Sequence, residues 1–74
     1  MIKQTRKTAI EQLRRKYPVG TRIRLTQMND PQAPPVGTLG TVVGVDDMGS
    51  IMVNWDSGSS LSVVYGVDTW EVVD

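Results

Sequence analysis

At Pro18 and Gly20 the apolar spacing of the chain changes from a helical period to a strand period, and this change limits the fold to one helix followed by a small sheet. Before it, Ala9, Ile10, Leu13 and Tyr17 recur at intervals of three and four residues, which aligns them on one face of a helix over residues 5–17. Thr8 with Glu11 fits a capping box, and Thr5 is an equally good cap. Proline and glycine then stop the helix. After Gly20 the apolar residues alternate: in Thr21-Arg22-Ile23-Arg24-Leu25-Thr26, Ile23 and Leu25 alternate with Arg22 and Arg24. That pattern predicts a half-buried strand with two guanidiniums on its outer face.

The segment Met28 to Gly37 contains Pro31, Pro34 and Pro35. Proline has no N–H to give a ladder, so this is a stiff irregular loop. Strand-like runs follow at 39–46, 50–55, 60–65 and 69–73. They are separated by Asp46-Asp47-Met48-Gly49-Ser50, Asp56-Ser57-Gly58-Ser59 and Gly66-Val67-Asp68, whose Asp and Gly suit tight turns. Gly40 and Gly44 inside the second strand predict a bend or bulge that lets the sheet curl. The expected fold is mainly β: a small five-stranded barrel over residues 18–74, with the amphipathic helix of residues 1–17 packed on it.

A chain of 74 residues buries only about 60% of its unfolded surface, which leaves little room for an enclosed active site. There is no Cys and no His, which removes disulfides, thiol nucleophiles, Ser-His-Asp triads and the usual zinc ligands. Asp30, Asp46, Asp47, Asp56 and Asp68 offer oxygen ligands, but no spacing matches a calcium loop. The bland reading of these acids is that they bond the backbone of their own turns. No enzyme chemistry, cofactor or metal is expected. No leader of signal-peptide form opens the chain, and no apolar run approaches the ~20 residues of a membrane span, so the expectation is a cytoplasmic protein.

All eight Lys and Arg residues lie in the first 24 positions, with one acid, Glu11, among them; that segment carries +7 and the remainder −7. Two readings follow. In one, Lys3, Lys7, Arg14, Arg15, Arg22 and Arg24 contact phosphates of a nucleic acid, with steep salt dependence and little sequence preference. Lys3, Lys7 and Arg14 share a narrow arc of the helix beside its apolar stripe. In the other, the basic segment folds back on the acidic body or on a neighbouring protein. Asp30, Pro31, Pro34, Asp46, Asp47, Trp55 and Asp56 then form an acidic, proline-stiffened surface for a basic protein partner, with head-to-tail self-association as a special case. The acidic body repels the polyanion that the helix attracts, so the protein-partner reading ranks first and the nucleic-acid reading second. Capture of a small ligand or nucleotide ranks third, because no Gly-rich phosphate loop is present.

The run from Gly40 through Val45-Asp46-Asp47-Met48-Gly49-Ser50 to Asn54-Trp55-Asp56-Ser57-Gly58 resembles the strand, acidic turn, strand and "WD-G" pattern of SH3-like barrels of the Mib/HERC2, Tudor and KOW types. Together with Met28, Asp30-Pro31, Pro34 and Gly66-Val67-Asp68, it is similar over residues 17–73 to a bacterial and phage family of unknown function, number 4314. The resemblance implies a small binding module of a bacterium, phage or mobile element, with no activity to carry over. One scaffold of this kind serves many ligands. A peptide groove or a cation cage needs clustered aromatics, and only Tyr17, Trp55, Tyr65 and Trp70 are present; Trp55, Tyr65 and Trp70 are the candidates for such a cluster, against the plainer reading that they pack the core.

Overall fold

A computed structural model describes the backbone of residues 5–73 and the side chains of residues 8–73. The element order is α1 (Thr5–Lys16), β1 (Arg22–Gln27), β2 (Leu39–Val45), β3 (Ser50–Trp55), β4 (Val63–Val64) and β5 (Thr69–Val73). The five strands form one antiparallel sheet in the order β4-β3-β2-β1-β5, so the last strand returns to lie beside the first.

Alternation sorts the residues as the sequence predicts. Ile23, Leu25, Val42, Val45, Ile51, Val53, Trp55 and Val63 are buried on the inner face, and Ile10 and Tyr17 of the helical segment close over them. Leu13, Met28 and Trp70 pack against the same core while half exposed. Met52, between Ile51 and Val53, is half-buried, and Met48 at the hairpin tip is exposed. Ala9, expected in the apolar stripe, is exposed. Thr8 lies inside the helix, so the Thr8–Glu11 pair does not open it.

The two strand glycines have different reasons. At Gly44 the register between β2 and β3 shifts, which is the expected bulge. Gly40 is instead a point of close approach: a Cβ there would lie 2.6 Å from Trp55 Cε3 and 2.6 Å from Val53 Cγ1. The run at 60–65 shrinks to the two residues of β4. Upstream of β4 the backbone bonds elsewhere: Leu61 C=O accepts from the Trp55 indole N–H at 2.8 Å, and Leu61 N–H donates to Ser59 Oγ at 3.3 Å.

Candidate interaction surface

Turn chemistry accounts for two residues of the expected acidic surface. Asp46 Oδ1 accepts the N–H groups of Met48 and Ser50, each at 2.9 Å, and Asp30 Oδ1 accepts that of Gln32 at 2.8 Å. These are Asx turns, in which the carboxylate shapes its own loop. Two residues are not on the surface. Pro34 is buried within its loop, and Trp55 is 3% exposed because its ring fills the space against Gly40 and its indole nitrogen is bonded inward. Pro31 and Asp47 are exposed, and Asp56 is exposed but paired.

The pairing of Asp56 is part of a wider pattern in the basic residues. Arg22 makes a bidentate contact with Asp56, at 2.9 and 2.7 Å, and bonds Thr41 Oγ1 at 2.9 Å. Two parallel charge-assisted bonds fix both groups in plane. The guanidinium's hydrogen bonds hold the Asp56 carboxyl below the usual carboxylate range, and the same bonds raise Arg22. Arg24 bonds Glu71, its direct cross-strand neighbour, at 2.5 Å. Arg14 donates to Val45 C=O at 3.0 Å and lies 3.6 Å from the fully exposed Asp47 carboxylate. Arg15 is exposed in the last helical turn, and Lys16 Nζ sits 5.6 Å from the Tyr17 ring centroid. Lys3 lies outside the described residues; Lys7 stands on α1, with its side chain outside them.

An aromatic cluster does form, with a different membership from the one the sequence suggests. Trp55 is excluded from it and Tyr17 takes its place. Trp70 meets Tyr17 and Tyr65 edge-on, with centroid separations of 5.6 and 6.2 Å, the T-shaped geometry that ring quadrupoles favour. The three rings, with Asp68 and Thr69, line a cleft of about 320 Å³. Tyr65 is 56% exposed at its rim. Asp68, nearly buried, accepts the Val64 N–H through Oδ2 at 2.8 Å. Trp70 Nε1–H is closed off from solvent and has no hydrogen-bond partner. Tyr17 enters because it directly follows the last residue of α1, ahead of Pro18, and Trp70 is carried beside it by the return of β5. The only sequence signal for that role is its place as the last apolar residue before the break.

Among the described residues no cluster of three or more acids can hold a metal ion, and no helix is long and apolar enough to cross a membrane. A family model described as a domain of unknown function, DUF4314, matches residues 6–73, nearly the whole chain. No curated protein and no solved structure matches it.

Proposed function

The chain belongs to the DUF4314 family, and from that premise we propose that it is a small non-enzymatic binding module whose partner is a protein. The observation that carries this reading is the internal neutralisation of the basic segment. Of the five cations whose side chains are described, Arg14, Arg22 and Arg24 are engaged by Asp47 and the Val45 carbonyl, by Asp56 and by Glu71. A guanidinium held in a bidentate carboxylate pair must lose that partner before it can neutralise a phosphate. What the surface offers freely is the aromatic cleft between the end of α1 and the start of β5, with exposed Tyr65 at its rim. An exposed aromatic ring at the mouth of a cleft is a usual anchor of protein recognition.

The return of β5 beside β1, after a meander of β1 to β4, supports an SH3-like barrel as the finer description of the fold. An accessory protein of a bacterium, phage or mobile element is the setting that the family resemblance suggests.

The nucleic-acid reading stands second, on the exposed Arg15 and Lys16 at the end of α1 together with Lys3 and Lys7. Cations there also answer the helix dipole. The two readings separate in one titration of isotope-labelled protein with short duplex and single-stranded DNA and RNA at low and physiological salt. The protein-partner reading expects no saturable shift at physiological salt. Salt-sensitive shifts confined to residues 3–24 overturn it in favour of a phosphate-binding arm.

A further inference from the structure

The ion pairs among the described residues are not equally closed. Arg22 is held by two parallel bonds to Asp56 and Arg24 by a direct bond to Glu71. Arg14 differs. Its Nη2 donates to Val45 C=O at 3.0 Å, but the carboxylate beside it, Asp47, stands 3.6 Å away and is fully exposed. That separation lies beyond hydrogen-bond reach, and a pair so open to water is screened and holds little. The carbonyl fixes where the guanidinium lies without neutralising it. Among the described residues, Arg14 Nη1 and Nε make no hydrogen bond.

Arg14 also lines a second recess of about 320 Å³, together with Tyr17, Pro18, Val19, Val45 and Met52. It opens between the end of α1 and the bulge of β2 at Gly44. Every lining side chain but those of Arg14 and Tyr17 is apolar, and Val19 is 74% exposed. Tyr17 lines both this recess and the aromatic cleft, so the two adjoin. The recess thus offers one positioned, half-exposed guanidinium with unused donors on an apolar surface. A single carboxylate carried beside an apolar side chain matches it in charge, in planar geometry and in surface.

The chain's own acids do not supply that group. Asp30, Asp46, Asp56, Asp68 and Glu71 are bonded within their own copy. Exchanging Asp47 for the same residue of a second copy would gain no ion pair. Glu11 is exposed, but Arg14 and Arg15 follow it at helical spacing, so bringing it in would set cation against cation. A nucleic acid offers strings of phosphates with little apolar surface between them. We propose that the Arg14 recess receives an Asp or Glu side chain of a different protein, whose apolar neighbour lies against Val19 and Met52, and that Asp47 is the internal group it displaces. The incoming pair is better closed than the one it replaces, because the apolar neighbour excludes water from it. This inference rests on the protein-partner reading and names the chemistry of that partner.

The probe is a display library of random nine-residue linear peptides, selected on the full chain. Enriched peptides are titrated into isotope-labelled protein, and each is resynthesised with its acids changed singly to the matching amides. The expected result is enrichment of an acid beside an apolar residue, with shifts at the Gly44, Val45 and Met52 amides and at the Arg14 Nε–H. Changing that acid to its amide should weaken binding at least about tenfold. Asp47→Asn removes the internal competitor and should tighten binding by about two- to fivefold, a gain that a purely structural role for Arg14 would not produce. Arg14→Gln should abolish binding; the peptide series gives the same answer with the wild-type chain. Weaker binding in Asp47→Asn would make Asp47 itself the contact and overturn the inference. Peptides that shift only the aromatic cleft overturn the recess and leave the module reading standing. Enrichment of nothing also overturns the recess, and the nucleic-acid titration then judges the wider reading. Concentration-dependent self-association with the same amide shifts, in the absence of peptide, overturns the choice of a foreign partner.

Discussion

Replacing Gly40 with alanine should cost stability through a contact that can be measured on the structure. The new Cβ would lie 2.6 Å from both Trp55 Cε3 and Val53 Cγ1, whereas carbon atoms pack at about 3.5–4.0 Å. Both neighbours would have to retreat by roughly 1 Å. Neither has room: Val53 is 1% and Trp55 3% exposed, and the indole is tethered by its 2.8 Å bond to Leu61 C=O. Overpacking of this kind costs about 1–3 kcal/mol, and the entropy gained by removing a glycine from the unfolded chain returns less than about 1 kcal/mol. A net loss of about 2 kcal/mol lowers Tm by roughly 8–16 °C in a domain of this size. Thermal and denaturant unfolding would read it. A double-mutant cycle with Val53→Ala makes the test specific, because relieving one side of the clash should return part of the loss as a coupling above about 0.5 kcal/mol. Gly37→Ala is the contrast: its φ is +96° and nothing lies within 4 Å of the new Cβ, so its cost is conformational, about 1–2 kcal/mol, and it should not couple to position 53. Wild-type stability in Gly40→Ala, or strict additivity in the cycle, would refute the close-approach argument.

The two tryptophans should respond unequally to loss of the indole N–H. Trp55→Phe strands the Leu61 carbonyl as well as opening space, adding about 1–3 kcal/mol to the loss, whereas Trp70→Phe removes a donor that bonds nothing and should be the milder change by urea denaturation. Acid should weaken the fold through Asp56. Its folded pKa is depressed by Arg22, so its contribution is present above the unfolded value of about 3.9 and lost as pH falls through the folded one. Asp56→Asn should therefore flatten the stability profile below about pH 4, and an unchanged slope there would remove the pair from the account.

Much of this protein is written locally. The spacing of Ile10, Leu13 and Tyr17 gives the helix, Pro18 ends it, the alternation around Ile23 and Leu25 gives the first strand, and Asp46 with Gly49 gives the hairpin, because each depends on residues a few positions apart. The bounds of β3 and β5 follow from the same rules. Strand β4 is shorter than its sequence suggests because the Trp55 indole, six residues from Leu61, claims a backbone group that a ladder would use. The charge segregation is likewise plain in the sequence, but its meaning is not. Arg22 meets Asp56 across 34 residues and Arg24 meets Glu71 across 47, and only the register of β5 against β1 brings the second pair together. The same return of β5 sets Trp70 against Tyr17. Periodicity decides which side of a strand is buried; which strands become neighbours, and hence which charges cancel and which rings form a cleft, is decided by the tertiary fold, because pairing joins residues whose distance along the chain carries no local signal.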